Sequence, residues 1–323
     1  MMRALWGKAI SEARWLLLAC SSVVFLFSWM RIWLTGQVDM RRFQQIIDAI
    51  PEGLATLSPV PIQQLASYPV RIAVTFEEPI LFIAMTVWAI SRSSDSVSGE
   101  IGRGTMEILA AQPTRRTTLL AIQAAVTTMG VAVLAITAWA GIAVGIAMFS
   151  AVQSADPLQL KIPLLGWHIP LGGVTGDPAP IPMRLLVDAE IFWPAVLNYF
   201  AFGFFLAGCG TLLSSCDRYR WRTIGLMVGF YVVELLLELA YAAADKLDWL
   251  KPFTFFSAYE PTWMISQWMT DERSVYALLH YDVGGQLVGL GSMGCQVMLI
   301  SLGLLAYGAS FVVFARRDLP APL

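Results

Sequence analysis

Charge is what this sequence most lacks. Only 14% of its 323 residues are Asp, Glu, Lys or Arg, against 57% hydrophobic, too apolar a balance for an ordinary soluble domain. Histidine is nearly missing as well. His168 and His280 are the only two, they fall in separate loops without a ligand-spaced companion, and no metal centre is legible from them. Ser-His-Asp catalysis would draw on the same pair, and no Gly-x-Ser-x-Gly elbow supports it. The four cysteines, Cys20, Cys209, Cys216 and Cys295, show no CxxC spacing and read as packing residues. A phosphate-binding loop needs Gly-Lys followed by Ser or Thr, and the only such pair, Gly7-Lys8, is followed by Ala9. That route to ATP hydrolysis is closed to the chain, and no nucleic-acid partner is expected.

What is present in quantity is long apolar sequence. A bilayer core takes roughly 20 apolar residues per helix, and runs of that order lie at Trp15–Leu34, Ile72–Ile90, Leu119–Phe149, Ile191–Ser214, Thr223–Ala243 and Gln286–Phe314. This predicts an all-α membrane protein, one six-span domain over residues 1–323 set in a lipid bilayer. Leu17-Leu18-Ala19-Cys20 imitates a lipoprotein cleavage box, but only five residues separate Arg14 from Cys20 and the apolar run continues past it, so it is read as part of span one. Lys and Arg concentrate in the amino terminus, the second and fourth connections and the carboxyl tail, whereas the other connections carry the acids. The bias puts both termini in the cytoplasm. Leu5, Trp6, Ala9 and Ile10 share one side of residues 1–13, which suits a helix lying in the inner interface before the first span.

Three external segments follow from this topology. In 35–70, Pro51, Pro59 and Pro61 break a mildly amphipathic stretch. In 151–190, Leu160–Pro163 and Trp167–Pro170 suggest short extended pieces around a turn, an ordered loop that can dock an outer accessory protein. The segment 244–285 gathers Trp249, Phe253, Phe255, Phe256, Tyr259, Trp263, Trp268 and Tyr276, a density that suits interfacial or re-entrant helices, with breaks at Pro252 and Pro261. Gly130, Gly141, Gly145, Gly303 and Gly308 allow close helix approach in spans three and six, either within one chain or at a seam between two.

Acids inside spans need a reason, because ionisable groups at that depth are costly. Glu77 and Glu78 sit just inside the outer end of span two, Glu234 and Glu238 are four apart on one face of span five, and Arg31 is at a depth to pair with Glu77, Glu78 or Glu238. Either these groups fix helix packing, or they line a polar path for substrate or protons.

The passage between spans two and three, SGEIGRGTMEILAAQPTRRT from Ser98 to Thr117, has the parts of a short helix. Thr105 is placed to cap it, Glu107 complements the dipole in its first turn, and Pro113 stops it. Met106, Leu109, Ala110 and Pro113 fall on one side. So short a helix must dock on something else to be stable.

That string resembles the cytoplasmic segment of ABC-2-type permeases, the membrane subunits of ATP-binding-cassette transporters. The matching positions are Glu100, Gly104, Thr105, Glu107, Leu109, Pro113 and Arg115, with Met106 and Ile108 at sites often held by Leu and Thr114-Arg115-Arg116 varying the usual ending. The resemblance implies a coupling helix seated in a cleft of a separate ATPase, with Arg103, Arg115 and Arg116 free to pair with acids on that partner. It implies a complex with two ATPase subunits and a second permease copy or homologue, in a bacterial plasma (inner) membrane. No cofactor is bound by this chain on that reading; ATP and Mg sit on the partner. Export is the commonest activity of the family. A membrane-embedded enzyme using the intramembrane acids, and a scaffold that anchors a cytoplasmic complex, are the competing readings.

Overall fold

The computed structural model describes residues 2–38, 67–106, 115–153, 159–162, 167–170, 179–243, 245–281 and 287–317. Nine α-helical pieces lie wholly within them: α1 (Met2–Gly36), α2 (Tyr68–Ala73), α3 (Pro79–Ser94), α4 (Glu100–Gly102), α5 (Arg116–Met148), α6 (Trp193–Cys216), α7 (Arg220–Ala243), α8 (Pro261–Thr270) and α9 (Ser292–Arg316). Grouped into continuous stretches, they give six that are long and apolar enough to cross a membrane: Met2–Gly36, Tyr68–Gly102, Arg116–Met148, Ala189–Cys216, Arg220–Ala243 and Ser292–Arg316. The chain is an all-α, multi-pass integral membrane protein.

Helix α6 is the most enclosed of the six and packs on α3, α5, α8 and α9. Close approach is bought with glycine. A Cβ on Gly141 would stand 2.7 Å from the Phe25 carbonyl oxygen and one on Gly145 2.7 Å from Ile32, so α1 and α5 meet backbone to backbone. Gly303 of α9 likewise faces Phe204 and Phe205 of α6. Gly130 lies against Trp88. Four of the five glycines singled out in spans three and six therefore serve packing inside the chain, and only Gly308 meets nothing.

Several boundaries depart from the expected ones. The amino-terminal helix is not a separate interfacial piece: α1 runs unbroken for 35 residues, roughly 52 Å at 1.5 Å per residue. Its first turns bury Leu5, Ala9 and Ala13 against the protein while Ile10 stays exposed. Their apolar stripe found a protein surface instead of a lipid one. Span two is broken rather than continuous. Pro79 disfavours the α conformation at the residue before it, and Glu78 is extended (ψ 140°) between the 3₁₀ turn Val74–Glu77 and α3. The break frees backbone groups that must be satisfied inside a membrane, and the Tyr259 hydroxyl donates to the Phe76 carbonyl at 2.6 Å. The same span continues beyond Ile90 through a π-helical turn, Asp95–Gly99, into α4. The last span begins at Ser292 instead of Gln286, because residues 287–290 are a strand (β6) paired antiparallel with Leu279–Tyr281 (β5).

The expected extended pieces in 151–190 are present. Ser150–Gln153 (β1) pairs with Ala179–Pro182 (β4), and between them Gln159–Ile162 (β2) pairs with Trp167–Pro170 (β3), all antiparallel. The aromatic segment before the last span folds as 3₁₀ turns at Asp245–Phe253, Phe255–Ala258 and Glu272–Tyr276 around α8. Its rings divide by burial, with Trp263 and Trp268 half-buried between two outer sets. Phe255, Phe256 and Tyr259 are buried and interlock with Phe82 of α3 and Phe202 of α6, whereas Trp249, Phe253 and Tyr276 are exposed. The segment around Met40–Ile50 lies outside the described residues.

Candidate functional site: the polar junction at the terminal end

Residues near both termini meet at one end of the bundle, here called the terminal end. The centre of this end is Glu100, only 1% exposed. Lys8 of α1 donates to its two carboxylate oxygens at 2.7 and 2.8 Å, Arg103 approaches at 3.1 Å, and the Thr105 hydroxyl donates to the same carboxylate. Such closure needs a sharp turn after α4. Gly104 supplies it at φ +69°, the left-handed region open to glycine.

A second buried carboxylate, Asp95, adjoins the first. Arg103 meets it at 2.6 Å, Arg220 from the start of α7 at 3.3 Å, and Arg92 from the end of α3 at 3.6 Å. The hydrogen bond to Asp95 holds the Arg103 guanidinium above its ordinary value. Arg92 also donates to Gln123 of α5 at 2.9 Å. Four cations from α1, α3, α7 and the turn after α4 thus surround two carboxylates on one short segment. The surplus is positive, which suits an acidic partner surface.

The π-helical turn is held from the other side by hydroxyls. The Val97 and Ser98 amides donate to the Ser214 hydroxyl at 3.2 and 3.0 Å, and the Ser98 hydroxyl lies 3.2 Å from that of Thr223. A π turn leaves amides and carbonyls displaced from the regular ladder, and the serine-rich sequence Ser91–Ser98 answers that need. Arg317 closes the cluster, donating to the carbonyls of Ser215 and Asp217 at 2.8 and 3.0 Å.

The coupling residues read from the sequence separate into three groups. Glu100, Arg103, Gly104 and Thr105 come together in the junction. Met106 is 4% exposed and packs with Val97, Leu120 and Phe314 inside the chain, which departs from a Met106 presented on a docking face. Its apolar surface is already used. Arg115 precedes α5 in an extended conformation and is exposed, and Arg116 donates to the Arg317 carbonyl at 3.4 Å. Glu107, Leu109, Ala110 and Pro113 lie outside the described residues. Sequence reasoning missed Lys8, Arg92, Asp95, Arg220 and Gln123. Lys8, Arg92 and Arg220 entered it as charges for topology, Lys8 also in the Gly7-Lys8 pair, and the separation of 92 positions between Lys8 and Glu100 hides their contact.

At the far end the membrane-depth acids do not form one line. Arg31 pairs with Glu78 at 2.9 Å, one of the partners expected for it. Glu77 accepts from the Thr262 amide at 3.0 Å and so caps α8 from another helix. Glu234, 8% exposed, accepts from the Phe255 amide at 3.1 Å. Glu238 accepts from the Tyr241 hydroxyl at 2.8 Å, and its other oxygen has no hydrogen-bond partner among the described residues. Three of the four acids therefore hold neighbouring backbone or a cation in place.

Comparison with known proteins adds the family. Residues 10–176, slightly more than half of the chain, match a family model described as ABC-2 family transporter protein. No curated protein matches the sequence. The match runs through the first three membrane-length helices and the whole passage from Ser98 to Thr117, so with six apolar helices and this junction between them the chain belongs to the ABC-2 family of transporter permeases.

Proposed function

We propose that the chain is the permease subunit of an ATP-driven exporter and that the 98–117 passage receives a separate ATPase subunit. Membership in the family implies an ATPase partner; the docking site is the finer step. The observation that carries it is the Glu100–Asp95 junction. Through Lys8, Arg92, Gln123, Arg103 and Arg220 it ties α1, α3, α5 and α7 to the one segment that runs into the passage. A push on the passage reaches four spans at once.

Coupling needs contacts that differ between two states of the bundle. The junction suits that use because its ion pairs are part-buried and its cations outnumber its acids, so an acidic cleft can compete for Arg103, Arg115 or Arg116. ATP and Mg belong to the partner on this reading. The complex holds two ATPase subunits and two permease chains, with both termini of each in the cytoplasm of a bacterial plasma membrane. The β1–β4 and β2–β3 ribbon at the far end offers an accessory protein its docking surface.

The test is co-purification. Glu107→Lys and Leu109→Asp are expected to abolish recovery of the ATPase with the affinity-tagged chain while the six helices stay inserted. Retained recovery with both changes would count against the docking site. Enzymatic activity of the purified chain alone, carried by its intramembrane acids, would favour the enzyme reading, and a bound ATPase that no candidate cargo stimulates in reconstituted vesicles would favour the scaffold.

A further inference from the structure

At the far end, a cavity of about 530 Å³ lies between the turn Asp245–Phe253, the start of α8, the β5–β6 hairpin and α9. Lys251, Ser257, Glu260, Trp263, His280 and Met298 are among the residues lining it. It is of a size that takes a small ligand. Nothing in the coupling reading uses it.

Glu260 occupies the N-cap position of α8 but makes no cap with its side chain. Glu77 does that work from span two, accepting from the Thr262 amide. The Glu260 carboxylate is thereby released from its own helix and lines the cavity. Its cation, Lys251, stands at 3.7 Å, beyond hydrogen-bond distance. The two opposite charges form a long, solvent-facing ion pair and line the same space. A ligand bearing only an anion would be drawn to Lys251 but repelled by the adjacent carboxylate, and one bearing only a cation would meet the converse. A molecule carrying both signs meets no like charge. Trp263 and His280, edge to face with centroids 5.4 Å apart, give an ammonium an aromatic wall. Met298 and Leu290, the latter 39% exposed, give an apolar chain a path away from the charges.

We infer that this cavity binds a zwitterionic amphiphile, with its ammonium on Glu260 beside Trp263, its phosphate or carboxylate on Lys251, and its tail along Leu290 and Met298. A bilayer phospholipid and a soluble zwitterion share that headgroup chemistry. Binding requires no ATPase.

The test titrates the purified full chain in detergent with dioleoylphosphatidylethanolamine and, separately, dioleoylphosphatidylglycerol, reading bound lipid by native mass spectrometry. The ethanolamine lipid is expected to bind about tenfold more tightly, the effect of one charged hydrogen bond. E260Q should weaken that lipid about tenfold and leave the glycerol lipid unchanged or tighter, and K251Q should weaken both. The swapped chain K251E/E260K keeps one charge of each sign and should retain the preference; thermal unfolding checks that each variant is folded. Displacement of the lipid by glycerophosphoethanolamine at similar concentration would support the headgroup chemistry and assign the site to a soluble ligand, and no displacement would assign it to the bilayer. Equal binding of the two lipids to the unaltered chain, or a folded E260Q chain that keeps the preference, would overturn the inference. Either result leaves ATPase docking to its own co-purification test.

Discussion

Glu100→Gln removes one charge at the centre of the junction and little else, since the amide keeps the shape of the carboxylate. Lys8 loses a partner at 2.7 Å and Arg103 one at 3.1 Å. Breaking a fully buried pair costs about 3–5 kcal/mol, and a single hydrogen bond to a charge contributes about 1.5–3 kcal/mol. Lys8 and Arg103 are 33% and 41% exposed, so water recovers part of the loss. An effect of about 1–2 kcal/mol on the docking of the first turns of α1 follows, a factor of roughly 5–30 in that local equilibrium. Hydrogen exchange of the full chain in lipid nanodiscs reads it directly. Amides in residues 2–13 and 95–106 are expected to exchange that much faster, with α6 unchanged. Lys8→Met should give a similar increase, and the double variant little more than either single one, because the two residues share one interaction. Unchanged exchange in both segments would refute the reasoning that Glu100 fastens α1 to the passage.

The glycine seam, the trans cap and the buried acid each give a further expectation. Gly145→Leu should push α1 from α5, since even a Cβ there stands 2.7 Å from Ile32; overpacking of this kind costs about 1–3 kcal/mol, visible as a lower midpoint of thermal unfolding. Glu77→Ala should cost about 1 kcal/mol as a lost cap and speed exchange at the start of α8, whereas Glu238→Gln, which keeps its Tyr241 partner's acceptor, should leave that helix unmoved. Burial pushes the Glu260 carboxyl above its ordinary value, with Lys251 opposing. A carboxyl raised in the folded state contributes stability that is full below the unfolded value of about 4.3 and is lost as pH rises through the folded one. Unfolding midpoints measured between those limits should fall with rising pH, and the slope should flatten in Glu260→Gln.

Much of the architecture was legible because a bilayer imposes its own ruler. Runs of roughly 20 apolar residues located all six spans, and the extended pieces expected at Leu160–Pro163 and Trp167–Pro170 are met by the strands Gln159–Ile162 and Trp167–Pro170. The break at Glu78 was readable in principle from Pro79, whose effect on its neighbour is local. The long reach of α1 was not, since the stripe of Leu5 and Ala9 looks the same whether it meets lipid or protein. Nor was the junction. Lys8 with Glu100, Arg92 with Gln123 and Asp95 with Arg220 are joined by folding across long separations, and one sequence carries no record of such pairings. Arg31 with Glu78 was approachable because both lie at one depth near one end of the bundle. Met106 shows the opposite case, where helical spacing assigned it to an outer face and tertiary packing with Leu120 and Phe314 took it inside.

An ATPase subunit seated on the passage between the second and third spans is the step on which coupling depends. A photo-crosslinking residue placed at Leu109 of the full chain, irradiated in native membranes and followed by labelling with a photoreactive ATP analogue, tests it most directly. A crosslinked product that carries the nucleotide label is expected, absent when the crosslinker is moved to exposed Leu236 of α7. A product at Leu109 that never binds nucleotide, or capture of lipid alone at both positions, would contradict it.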